Sequence, residues 1–317
     1  MSQESSSRKT ESGDAVRAME ALAWAADCAE KQGIGLTSPL RASPLDYRAA
    51  SERYLPELRR ELDRIVMSDD AEAGLDALLE SGALGAILPE VQAMVGFGDG
   101  EWRHKDVWKH TKQVVRQAVP RLEVRWAALL HDIGKIKTRS ISPDGEVHFF
   151  GHAEVGARMF DRLDRRMPLF SRDPALRSTV RFLILHHLRA AQYDASWTDS
   201  AVRRFAREMG DGMDDLLCLS RADITTKRPE KKRHGLRQIS ELAERISALQ
   251  AEDAVVPPLP SGIGDEVMRA FGLPPSRRIG ELKKALEQSV DAGEVPSHQA
   301  AEVYIAFLRD QRERFGL

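Results

Sequence analysis

Cysteine is nearly absent: Cys28 and Cys218 stand far apart in a chain of 317 residues. That excludes a disulfide framework and any CxxC metal or redox motif. No uninterrupted apolar run approaches the roughly 18 residues that span a bilayer. The N-terminal MSQESSSRKTESGD also lacks the apolar segment of a signal peptide. The expectation is a soluble chain of the reducing cytoplasm, without membrane contact. Lys plus Arg number 47 against 49 Asp plus Glu, a net charge of −2, which argues against a globally basic nucleic-acid binder but leaves room for a local patch. No stretch alternates with period two long enough to nominate a sheet, and no repeat of fixed period appears.

What is present is helical periodicity, so the expected fold class is all-α. Residues 1–13 read as a disordered tail and 14–50 as an N-terminal helix and linker. Val16, Met19, Leu22, Ala23 and Ala26 share one face of that helix, and the Gly33 to Pro44 segment tethers it loosely. From Ser51 helix follows helix: Leu55, Leu58, Leu62 and Val66 mark one, Asp69 or Asp70 caps the next, and Ser81-Gly82 closes it. Asp144-Gly145 is a turn signal before a short extended piece, Glu146 to Phe150. The spacing predicts further helices over roughly 105–118, 122–131, 152–166, 174–188, 198–209, 212–227 and 230–251. A Pro-rich connector and three shorter helices complete the chain.

The stretch Trp126 to Lys135, WAALLHDIGK, organises the rest. It is an apolar helical run ending in His131 and Asp132, groups costly to bury unless a partner such as a divalent cation satisfies both. Helices of a bundle can bring further donors to one point, and the candidates are His110, His152, His186 or His187, and Asp223. His186 and His187 point about 100° apart on a helix, so one of them at most is a primary ligand. An all-nitrogen-and-oxygen set suits Mg, Mn, Fe, Co, Ni or Zn, as one ion or two. Lys135, three residues after Asp132, reads either as a compact cation at the site or as a solvated lysine beyond the helix C-terminus. His148 and His186 are candidate substrate contacts, as are Lys227, Arg228 and Lys231 in the basic cluster that runs on through Lys232, Arg233 and Arg237. That cluster reads equally as a rim that attracts phosphate or as a solvated face paired with Glu230, Glu241 and Glu244. No regular aromatic interleaving supports base stacking.

The series His110, His131-Asp132, Asp223 resembles the H…HD…D signature of HD-type metal-dependent phosphohydrolases. That resemblance implies an HD-domain helical bundle in which His110, His131, Asp132 and Asp223 hold one metal. His152 and His187 hold a second, with Asp132 bridging, and Lys135 and Asp132 are the catalytic residues.

A further resemblance runs from Ser51-Glu52-Arg53 through ELRRELDRIVMSDDAEAGLDALLESGALGAILPEV, DVWKHT, GHAEVGARMF and SRAD to the tail PLPSGIGDEVMRAFGLPPSRRIGELKKALEQSVDAGEV. It is to bacterial CCA-adding tRNA nucleotidyltransferases and poly(A) polymerases. The resemblance implies a helical neck-like region at 51–100, an HD domain at 101–255 and a helical C-terminal region at 256–317. The nucleotidyltransferase head of those enzymes carries a Gly-rich segment and carboxylates in DxD spacing. Residues 1–50 show neither, so CCA addition by this chain alone is not expected. The expected activity is hydrolysis of a nucleotide or RNA-end phosphoester, the resemblance pointing to 2′,3′-cyclic phosphodiesterase or phosphatase chemistry. The alternative is a silent module that binds tRNA-like RNA or a separate nucleotidyltransferase chain.

Overall fold

Capping carboxylates punctuate the chain. In the computed structural model, which describes residues 2–30, 46–98, 106–253 and 257–317, Asp46 accepts from Ala49 N and opens α2 (Tyr47–Met67). Asp70 accepts from Ala73 N and opens α3 (Ala71–Glu80), and Asp106 accepts from Lys109 N to open α6 (Val107–Gln117). Gly82, at φ 77°, makes the left-handed turn into α4 (Ala83–Ile87), which α5 (Pro89–Gln92) follows. Pro56 lies inside α2 and Tyr54 just before it leaves helical geometry, so the helix kinks there. The expected Gly33 to Pro44 linker lies outside the described residues.

The first helix departs from expectation. α1 is Ser2–Glu30, taking in the segment expected as a disordered tail, because the polar start continues a helix whose later half is anchored. Its buried face is Ala15, Ala18, Ala21, Leu22, Ala25, Ala26 and Ala29, while Val16 is 43% exposed. Alanine lets the helix lie close against α2 and α3, with Gly74 of α3 beside the Ala29 methyl. The helix is thus packed, not loosely tethered.

The helices around the WAALLHDIGK run are α6, α7 (Leu122–Leu130), α9 (His152–Arg166), α10 (Pro174–His186), α11 (Asp199–Met209), α12 (Met213–Ala222) and α13 (Pro229–Asp253), with the single turn α8 (Lys135–Thr138). Every side chain from Val124 to Leu130 is buried, so α7 is the central helix. The extended piece pairs as a two-stranded antiparallel hairpin, β1 (Ser140–Ile141) with β2 (Val147–His148). The helix expected over 212–227 stops at Ala222, with Asp223 as its C-cap and the chain turning away at Ile224.

The chain divides into two compact units, Met1–Ser247 and Ala248–Leu317, a division within α13 where the sequence predicts one at 255/256. The neck-like segment and the HD segment share the first unit because charged side chains join them. Trp126 donates to Asp63 at 2.7 Å, and Arg59 lies over the Trp126 and Phe170 rings. Buried Arg125 donates to the carbonyls of Val66 and Ser68, both at 3.1 Å, satisfying the C-terminus of α2. The second unit packs α14 (Ile263–Phe271), α15 (Arg277–Asp291), α16 (Ala301–Asp310) and the extra turn α17 (Arg312–Phe315) around Leu282, Leu286, Tyr304 and Leu308. Among the described residues no helix is long and apolar enough to cross a membrane.

Replacing Arg125 by Ala strands a buried and a half-buried carbonyl and is expected to lower unfolding free energy by about 2–4 kcal/mol. Urea unfolding measures it; a change within 0.5 kcal/mol, the ordinary range for surface substitutions, contradicts the clamp.

Candidate metal centre

Four of the candidate ligands, His131, His152, His187 and Asp223, occupy helix ends, and the backbone itself orients the three rings. His131 is the C-cap of α7 and its Nδ1 donates to Ala128 O at 2.8 Å; His187 is the C-cap of α10 and donates likewise to Ile184 O at 2.8 Å. His152 begins α9 after Gly151, a glycine at φ 70°, and its Nδ1 donates to Phe149 O at 2.7 Å. Each bond puts the proton on Nδ1 and leaves Nε2 aimed inward. His110 lies within α6, and its Nδ1 faces the Thr225 hydroxyl at 2.8 Å instead.

The inward atoms converge. His110 Nε2 lies 3.3 Å from His131 Nε2 and 3.0 Å from Asp223 Oδ1, and Asp132 Oδ2 lies 3.5 and 3.3 Å from the same two rings. On the other side of that carboxylate, Asp132 Oδ1 is 3.5 Å from His152 Nε2 and 3.9 Å from His187 Nε2, which are 3.1 Å from each other. The structure therefore brings together all six expected ligands, with Asp132 common to two groups, His110–His131–Asp132 and Asp132–His152–His187.

These donors fit divalent cations. Asp132 Oδ1 is buried and accepts no hydrogen bond, a costly state for a carboxylate oxygen. The ring nitrogens of His152 and His187 meet lone pair to lone pair, which is repulsive unless a cation lies between them. Adjacent ligands about 2.1 Å from one ion stand about 3.0–3.4 Å apart; the donor atoms of His110, His131 and Asp132 lie 3.3–3.5 Å apart and those of Asp132, His152 and His187 lie 3.1–3.9 Å apart, near that spacing. In the metal-free chain, burial opposes charge on His131, but the carboxylates of Asp132 and Asp223 outweigh it and raise its pKa to about 10. Burial would push Asp132 and Asp223 upward, yet His131 and its neighbours hold Asp132 well below the usual carboxylate range, and hydrogen bonds from His110 and His131 do the same for Asp223. Burial, followed by the charge of His131, brings His187 down to about 4.

Lys135 Nζ reaches Asp132 Oδ2 at 2.6 Å and lies 5.7 Å from the centroid of the half-buried Phe149 ring. The other expected substrate contacts stand outside the donor groups. His186 packs on the Phe182 ring, and His148 stacks on Phe150. Lys227, Arg228 and Lys231 are exposed and form no ion pair among the described residues, whereas Arg233 pairs with Glu230. The solvated-face reading thus accounts for one expected pair.

Sequence reasoning missed Thr225, the backbone acceptors and the role of Gly134. A Cβ on Gly134 would collide with the His152 carbonyl oxygen and lie 2.7 Å from Gly156 N, so this glycine lets the HD turn lie flat on α9. Only the Gly in HDIGK hinted at that approach; nothing in the sequence marked Thr225.

Two outcomes follow. Because His131 is protonated below about pH 10, a divalent ion must displace its proton. Mn²⁺ binding at pH 7.5 is expected to release about one proton per chain, with affinity rising about tenfold per pH unit from 7 to 9. Calorimetry in buffers of different ionisation heat reads this, and binding without proton release contradicts it. Gly134→Ala displaces His152 and is expected to weaken Mn²⁺ binding about tenfold or more, as loss of a supporting contact does; unchanged affinity in the folded variant contradicts the packing role.

Residues 107–248 match the HD domain. The chain is 34% identical over 256 residues to the A-adding tRNA nucleotidyltransferase of Deinococcus radiodurans, covering 78% of this chain and 57% of that protein. It is 32% identical over 263 residues to the CC-adding tRNA nucleotidyltransferase of Thermus thermophilus, covering 81% and 57%. The multifunctional CCA protein of an Azoarcus species is 30% identical over 171 residues, 51% of this chain and 40% of that protein. The chain thus spans little more than half the length of the first two relatives. All six convergent donors fall within residues 107–248, and the chain carries an HD domain within a longer stretch that resembles the bacterial tRNA nucleotidyltransferases.

Proposed function

We propose that this chain is a metal-dependent phosphohydrolase acting on a nucleotide or RNA-end phosphoester, either as a phosphodiesterase or as a phosphatase. One observation carries the reading: the buried Asp132 carboxylate is shared, one oxygen to each group, between two pairs of oriented histidines. His110, His131, Asp132 and Asp223 would hold one divalent ion, and His152 and His187, with Asp132, a second. Such an ion supplies Lewis acidity, generating a nucleophile from water at neutral pH and polarising a phosphoryl oxygen. Asp132 fixes the spacing of the two groups. The Lys135 ammonium, at the edge of the site, offsets negative charge on a phosphate brought to it. His131 and His187 are buried, which keeps bulk water from competing for these positions.

An RNA-end substrate is supported by the relatives' names, which specify tRNA, and by the exposed Lys227, Arg228 and Lys231 that follow Asp223 within eight residues. The same cations favour the second reading, a module that holds tRNA-like RNA or joins a separate nucleotidyltransferase chain.

Turnover of 2′,3′-cyclic nucleotides and phosphomonoesters, assayed across Mg²⁺, Mn²⁺, Co²⁺, Ni²⁺ and Zn²⁺, tests the first reading. Activity is expected with at least one ion, and His131→Ala should lower kcat/KM at least about 100-fold. A folded chain inert with every ion contradicts it. In the second reading RNA retention falls steeply with salt, survives His131→Ala and is lost when Lys227, Arg228 and Lys231 are replaced by Ala.

A further inference from the structure

Three rings in succession, His148, Phe149 and Phe150, lead from the hairpin into the candidate ligand His152. They face different ways. Phe149 belongs to the site: its carbonyl orients His152, and its ring lies beside Lys135 and 6.3 Å from the Phe97 ring. Phe150 is 77% exposed, and the His148 ring lies against it at 4.9 Å with an interplanar angle of 15°. A large aromatic surface held open to water is unfavourable, and a near-parallel stack offers one flat, rigid face to a further ring.

Position narrows the occupant. Phe150 is two residues from His152, so their Cα atoms are at most about 7.6 Å apart. That is on the scale of the reach from phosphate to base within one nucleotide. The surface is also too small for a protein partner. Ile141, the other exposed apolar residue of the hairpin, pairs with Val147 and so lies on the face opposite His148 and Ser140. Gly151 follows Phe150 directly, leaving a single ring where a protein interface needs a contiguous patch.

We infer that Phe150, backed by His148, is a stacking platform for the nucleobase of the substrate, so that the site selects nucleoside phosphates over base-free phosphoesters. This rests on the phosphohydrolase reading above and adds a specificity residue to it. His148 contributes by holding the Phe150 ring, not by meeting phosphate. Base stacking on one aromatic ring tolerates all four bases, so little preference among them is expected.

The test compares adenosine 5′-monophosphate with ribose 5-phosphate as ligands of the full chain loaded with Mn²⁺, by titration calorimetry. The wild type is expected to bind the nucleotide about 5- to 50-fold more tightly. Phe150→Ala should reduce that preference to within about twofold, and Phe150→Trp should keep it. Phe150 is exposed, so both variants retain the fold. Equal binding of the two ligands by the wild type, or an undiminished preference in Phe150→Ala, overturns the platform alone. Binding of neither ligand overturns both the platform and the hydrolase reading. Light scattering on the same samples covers the remaining occupant: a dimer in the wild type that Phe150→Ala dissolves would assign the ring to a second copy and overturn the inference.

Discussion

The rest of the first unit is arranged around one buried carboxylate. Asp132 is almost wholly removed from water, yet one of its oxygens has no hydrogen-bond donor and the other meets Lys135, His110 and His131. Burying a carboxylate in this way is unfavourable without compensating positive charge, and protons on the surrounding rings supply only part of it. Five helices begin at, end at or pass this point, and the His131, His152 and His187 rings are each held by a backbone carbonyl three residues earlier. The protein thus fixes where positive charge must go before any cation arrives.

That arrangement constrains its surroundings. Gly134 must stay without a side chain so that the turn after Asp132 lies against the start of α9. α7 is buried from Val124 to Leu130, which requires covering by α2, and Arg59, Asp63 and Arg125 attach that helix through hydrogen bonds to Leu169 O, Trp126 and Val66 O. The neck-like segment therefore belongs to the same unit as the donors.

Much of this was legible in the sequence because the signals are local. WAALLHDIGK announces a buried helix ending in ionisable groups, the expected cap at Asp70 occupies a helix N-terminus, and Asp144-Gly145 marks the hairpin turn. The six donors were nominated as a set, and the structure brings them together. What escaped the sequence depends on contacts between distant segments. The buried face of α1 is alanine, a weak periodic signal that the eye passes over in favour of Val16 and Met19. Thr225 supports His110 across 115 residues. The His148–Phe150 stack is local, but it forms where the chain turns beyond the end of β2, which alternation along a strand does not foretell.

The account stands or falls on whether Asp132 organises metal. Metal content per chain, measured by inductively coupled plasma mass spectrometry after equilibration with Mn²⁺ and removal of free ion, tests this most directly for the wild type and Asp132→Asn. The account predicts at least one bound ion per wild-type chain and loss of binding in a folded Asp132→Asn chain. A wild type that retains no ion, or a variant that retains as much, would contradict it.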